Sequence, residues 1–213
     1  MKEILILETG DNTSDTALTK TENKLTDEEK IRKIKYHFSE IMDTLGLDLT
    51  DDSLKGTPER VAKMYVKEIF SGLNPENKPQ ISLFENKYSY KRMLVEKDIT
   101  LYSSCEHHFV PIIGKVHVAY FPGKNVIGLS KINRLVQYHA RRPQVQERLT
   151  IQIAEAMKEV LGHDDVAVYV DADHLCVASR GIKDTNSRTL TSSYSGLFEK
   201  QEIKQEFLAY INN

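Results

Sequence analysis

The sequence predicts an α+β domain, an antiparallel sheet with helices on one face, preceded by N-terminal helices. Two stretches of helical period come first. Strand-like alternation begins near Leu94, and the order then repeats as a helix pair followed by a second strand pair. Strand pairs separated by helices favour hairpins under a helical layer over the strict alternation of a parallel sheet. With 213 residues, 40% of them hydrophobic and 28% charged, the chain can bury a sizeable core.

Residues 9–26 are polar and have no hydrophobic period, so residues 1–25 are assigned to a mobile arm. A helical region over 26–92 follows. Thr26 and Glu29 form a capping-box pattern, and Ile31, Ile34, Phe38, Ile41, Met42 and Leu45 recur at helical spacing before Gly46. Thr57-Pro58 opens a second helix with the stripe Val61, Met64, Tyr65 and Ile69, ending near Ser71-Gly72. The catalytic domain is assigned to 93–213. Ile99, Leu101 and Ser103 share one strand face; Val116, Val118 and Tyr120 share another and run into a turn at Phe121–Lys124. Ser130 is expected to cap a helix carrying Ile132, Leu135 and Val136. Pro143 is expected to open a helix with the stripe Val145, Leu149, Ile153, Met157 and Val160, closed by Gly162. Val166–Ala172 and Thr189–Tyr194 complete the strands.

The net charge of −2 argues against a nucleic-acid groove. No apolar run is long enough for a membrane span, and Glu3 and Glu8 spoil Met1–Leu7 as a signal peptide, so the expectation is a cytoplasmic protein. Reducing conditions there make the two cysteines metal ligands, catalytic groups or buried fillers rather than a disulfide.

Both cysteines sit near histidines, in Cys105-Glu106-His107-His108 and His174-Leu175-Cys176. Cys105 and His108 would point to opposite faces of a strand, so joint ligation requires the chain to turn there. Cys176 is the third candidate. A Cys₂His set leaves one position of a tetrahedral zinc open for water, as catalytic sites do. The competing reading is a small buried Cys176 and a surface histidine pair. Strand periodicity would put His174 and Cys176 on one face. His107 and His174 are then proton-transfer candidates, against readings as a further ligand or as ordinary surface and strand histidines.

A second cluster is Ser130, Lys131 and Arg134 at a helix start, with Arg180 elsewhere. Exposed N–H groups, a hydroxyl and cations there suit phosphate, although a solvated basic face has the same composition. Gln146 and Glu147 lie in a helix first turn. A carboxylate there either complements the helix dipole or accepts the guanine N1–H and 2-amino hydrogens, with the amide meeting the base oxygen.

Five stretches in one order, Gly56–Ala62, Cys105–Phe109, Gly128–Arg134, Arg142–Leu149 and His174–Gly181, resemble the GTP cyclohydrolase I family over about residues 28–198. The resemblance implies a tunnelling fold, with sheets of several subunits closing into a barrel. It implies a homodecamer of two stacked pentamers and active sites at subunit interfaces. It also implies conversion of GTP and water to formate and 7,8-dihydroneopterin triphosphate, the first step of folate- or tetrahydrobiopterin-type pterin biosynthesis. One zinc per subunit falls to Cys105, His108 and Cys176. Proton transfer falls to His107 and His174, with Ser130 acting at the ribose. Ser130, Lys131, Arg134 and Arg180 carry the ribose and triphosphate contacts, joined by Arg60 from an adjacent subunit. Gln146 and Glu147 carry the guanine contacts, also across an interface. No nucleic acid or membrane partner is implied. The His-x-Glu and Pro-Cys-x-x-Cys runs of zinc deaminases are absent.

Overall fold

A computed structural model describes residues 25–212; the arm assigned to residues 1–25 lies outside the described residues except for Leu25. Helix α1 (Asp27–Thr44) begins with the complete capping box: Glu29 N–H donates to the Thr26 hydroxyl, and Thr26 N–H donates to the Glu29 carboxylate. Gly46 takes the left-handed conformation just beyond its end. Helix α2 (Thr57–Met64) packs against α1 and continues as a π-helical turn, Tyr65–Ile69, and a 3₁₀ turn, Ser71–Leu73.

Strands β1 (Leu83–Glu85), β2 (Leu94–Cys105), β3 (Pro111–Tyr120) and β4 (Asn125–Ile127) precede α3 (Leu129–Ala140). Then come β5 (Pro143–Gln144), α4 (Gln146–Leu161), β6 (Val166–His174), the short α5 (Leu175–Ala178), β7 (Thr189–Tyr194) and α6 (Gln201–Asn212). The main sheet has the order β5-β2-β3-β6-β7. Its four long strands are antiparallel, and β5 adds a short parallel edge to β2. β1 and β4 form a separate antiparallel pair.

Helices α3 and α4 cover one face. Ile99, Leu101, Val116, Val118 and Val168 point into that layer against Ile132, Val136, Leu149 and Ile153, all within a few per cent of full burial. The other face is covered at one end only, where Phe207 of α6 and Phe198 pack on Ala119 and Ala167. The α+β expectation therefore holds, with α3 and α4 on one face and α6 added at one end of the other.

Two local expectations fail. Ser130 caps nothing: Gly128 is the N-cap of α3, and Ser130 lies within the first turn. Pro143 does not open a helix, because Pro143 and Gln144 pair with Ser104 and Cys105 of β2 and the helix starts at Gln146. A proline at a strand edge loses no ladder bond, so the pairing is as available to it as a helix first turn.

Candidate active site

β2 ends at Cys105, and the chain reverses at once. Phe109 N–H donates to Cys105 O at 2.8 Å, Cys105 N–H to Val110 O at 2.9 Å, and Phe109 has φ +54°. This turn supplies the reversal that Cys105 and His108 need to face one point. β6 pairs with β3 so that His174 lies opposite Ile112, at the same end of the sheet. The backbone then coils into α5, which carries Cys176. His174 and Cys176 therefore converge through a helical turn, not through a shared strand face as periodicity suggests.

The ligating atoms of Cys105, His108 and Cys176 all lie within 4.8 Å of one another. Zinc–sulfur bonds of about 2.3 Å and zinc–nitrogen bonds of about 2.0 Å at tetrahedral angles need donors separated by somewhat less than that, so the trio fits zinc with small adjustment. Both cysteines are free thiols. Burial pushes the Cys176 thiol up, and the neighbouring Cys105 sulfur adds to the shift. Two sulfurs competing for protons in a half-buried niche are suited to a cation.

The turn is braced from α4. Glu106 N–H donates to Gln144 O at 3.0 Å. Arg148 donates to the Glu106 carboxylate, to Gln144 Oε1 at 3.0 Å and to Pro143 O at 3.1 Å. Composition gave no reason to single out Glu106, Gln144 or Arg148, because their partners are distant in sequence. His107 is exposed, with Nδ1 3.5 Å from Cys105 Sγ. An Arg180 N–H lies 3.0 Å from His108 Nε2, which brings that guanidinium to the rim of the cluster.

His174 is half-buried, and burial lowers its pKa against the opposing pull of Glu147 and Asp173. Its Nε2 is 2.8 Å from Gln146 Oε1. Gln146 is 1% exposed, and its amide nitrogen donates to Val170 O, Thr189 O and Thr191 Oγ1 at 3.2, 2.8 and 3.1 Å. The two carbonyls accept only, which fixes the amide with its oxygen towards the imidazole. His174 therefore carries its proton on Nε2 in the neutral form and leaves Nδ1 as the basic nitrogen. Within the chain the Gln146 side chain is held by these four contacts, with a second lone pair left on its Oε1. Its neighbour Glu147 is exposed beside His174.

Apart from Arg180, the anion-binding candidates lie elsewhere. Asn133 of α3 donates to Glu96, Gln137 to Thr100 O, and Ser103 Oγ to Ala140 O. α3 therefore runs alongside β2 towards Cys105. Ser130 and Lys131 lie at the start of α3, ten and nine residues before Ala140, which meets Ser103 two residues short of Cys105, so they stand about 15 Å along the helix from that contact. Among the described residues, no hydrogen bond joins Ser130, Lys131 or Arg134 to Cys105, His108 or Cys176. Arg60 is an exposed side chain of α2, folded against Gly56.

The family model described as GTP cyclohydrolase I matches residues 34–212. GTP cyclohydrolase 1 of Flavobacterium johnsoniae is 62% identical over 187 residues, covering 88% of this chain and 84% of that protein. The protein of the same name from Mannheimia succiniciproducens is 53% identical over 208 residues, covering 97% and 93%. A solved dihydroneopterin aldolase from Burkholderia thailendensis, bound to guanine, superimposes with a TM-score of 0.34 at 17% identity. It spans 51% of this chain and 94% of that one, too slight a likeness to bear on the argument.

Proposed function

The chain belongs to the GTP cyclohydrolase I family, and from that premise we propose how its residues convert GTP and water to formate and 7,8-dihydroneopterin triphosphate. The observation that carries the reading is the convergence of Cys105, His108 and Cys176 beside a histidine whose proton position is fixed. Those three residues would hold one zinc ion, which when bound supplies Lewis acidity for hydrolysis at guanine C8.

His174 keeps its Nε2 proton on Gln146 and offers Nδ1 to the purine. Once protonated, Nδ1 donates to N7, which makes C8 electrophilic. His107, exposed on the same turn, takes and returns protons as the ring opens and formate leaves. Glu147 accepts from the guanine N1–H and 2-amino group. Ser130 assists at the ribose as it opens and recloses on the freed amine. Lys131, Arg134, Arg180 and Arg60 hold the triphosphate, which is not cleaved and serves as a remote anchor.

The distance between Ser130–Lys131 and Cys105 within one chain supports a site shared between copies, with the metal half from one subunit and the ribose and phosphate half from another. A homodecamer of two pentamers supplies such interfaces. No helix among the described residues is long and apolar enough to cross a membrane, and we assign the enzyme to the cytoplasm with GTP as its small-molecule partner. Incubating zinc-loaded protein with GTP should release formate and a pterin that fluoresces after oxidation. Zinc-loaded protein that leaves GTP intact would refute the assignment.

A further inference from the structure

Between α3 and the segment 67–79 lies a cavity of about 440 Å³, within the size range of small-ligand sites. Arg134, Gln137, Tyr138 and Arg141 line it from one face of α3, and Lys67 and Asn77 line it from the other wall. The walls are locked together. Gly72 N–H donates to Arg141 O, and Arg142 Nε donates to Gly72 O, both at 2.9 Å. A Cβ at Gly72 would collide with the Tyr138 carbonyl and lie 2.8 Å from that of Arg141, so only glycine permits this approach.

Three cations face the space, and no carboxylate lines it. Lys67 has only Glu28 at 3.9 Å, with both side chains more than half exposed. No ion pair or hydrogen bond of the Arg134 or Arg141 side chain is present among the described residues. The amides cannot neutralise them: Gln137 donates to Thr100 O at 2.6 Å and Asn77 to Ser71 O at 2.8 Å. Arg142 stacks 4.5 Å over the Tyr138 ring and backs the wall. Like charges converging on one rigid cleft repel each other, and a multivalent oxyanion removes that repulsion. Guanidinium groups match phosphate oxygens with two donors each.

We propose that this cavity seats an oligophosphate, with Lys67 and Arg141 as binding residues alongside Arg134. Only the identity of the anion rests on the GTP reading. The phosphates are either the tail of a bound nucleotide or a free oligophosphate.

The test uses Lys67 as a local reporter on the intact, assembled protein. The chain is acetylated briefly with an amine-reactive ester, and modification is read by mass spectrometry with inorganic tripolyphosphate, GTP or guanosine present. Lys63, exposed but paired with Glu59 at 2.7 Å, is the internal control. At about ten times its dissociation constant, tripolyphosphate should slow Lys67 acetylation about tenfold and leave Lys63 unchanged. Arg141→Gln should remove the protection and Arg141→Lys should restore part of it. Protection by GTP and not by guanosine identifies the nucleotide tail. Protection by tripolyphosphate with GTP ineffective identifies a free anion. Unprotected Lys67, or protection indifferent to Arg141→Gln, overturns the proposal. Pterin formation by the unmodified protein is scored separately, so loss of this site and loss of the GTP reading remain distinguishable.

Discussion

Gln146→Met removes one acceptor from His174 while nearly preserving side-chain volume. The side chain is 1% exposed and makes four polar contacts, with Val170 O, Thr189 O, Thr191 Oγ1 and His174 Nε2. Val170 and Thr189 both lie within sheet ladders, so the imidazole N–H is the group left most exposed to loss. At about 1–3 kcal/mol for a buried group left unmatched, the imidazole N–H alone should lower stability by about 1–3 kcal/mol, and the partly exposed Thr189 carbonyl adds less. Catalysis should fall further. Without the Gln146 oxygen, His174 is free to rotate or to carry its proton on Nδ1, and a misplaced general acid costs about 10²- to 10⁴-fold in kcat. KM should move little if the side chain acts only through His174. The assay is pterin formation across a GTP series, with denaturant unfolding to confirm that the variant is folded. A large rise in KM at unchanged kcat would mean that Gln146 reads the purine after all, and the tautomer argument would fail.

Glu147→Gln should show the opposite split, with GTP binding weakened about 10- to 100-fold through loss of charge-assisted bonds and kcat nearly retained; unchanged affinity in titration calorimetry removes Glu147 from base recognition. Gly114→Ala should lower the unfolding free energy by about 3 kcal/mol, because a Cβ in β3 collides with the Asp171 backbone and lies 2.6 Å from Ala172 Cα; a wild-type denaturation midpoint would contradict the packing described. His117 should make folding sensitive to mild acid. Its Nδ1 accepts the Asp98 N–H at 3.2 Å, and burial lowers its pKa below the usual value, against Asp98 and Asp171 and with Lys97 and Lys115. A depressed histidine stabilises the fold above the unfolded pKa of about 6.5, and that contribution is lost as pH falls through the folded value. His117→Asn should flatten the stability profile from pH 7 to 5, and an unchanged slope would assign it to other groups.

Much of this architecture is legible locally. The Thr26–Glu29 box, the left-handed stops at Gly46 and Gly162 and the alternation of β3 and β6 depend on neighbours within a few residues. The metal trio is legible because the chain has only two cysteines, each close to a histidine. What fails depends on distant partners. Pro143 reads as a helix start until β2 is beside it. The β1–β4 pair joins residues about forty positions apart, and neither three-residue strand shows a period. Helix α6 shows Ile203, Phe207 and Ile211 at four-residue intervals, a stripe of only three positions whose burial depends on Ala119 and Ala167 far upstream. Gln146 reads as a base contact beside Glu147, and its bond to His174 becomes visible only with β6 and β7 folded over α4.

In the proposed GTP-converting site the metal trio and the Ser130–Lys131 segment come from different copies of the chain. Mixing two inactive variants, Cys176→Ala and Lys131→Ala, through unfolding and reassembly tests it directly. Random assembly should rebuild intact sites where a metal-competent chain meets a phosphate-competent one, restoring pterin formation to about a quarter of the wild-type rate. A mixture no more active than its parents, despite normal assembly, would place both halves on a single chain and contradict the account.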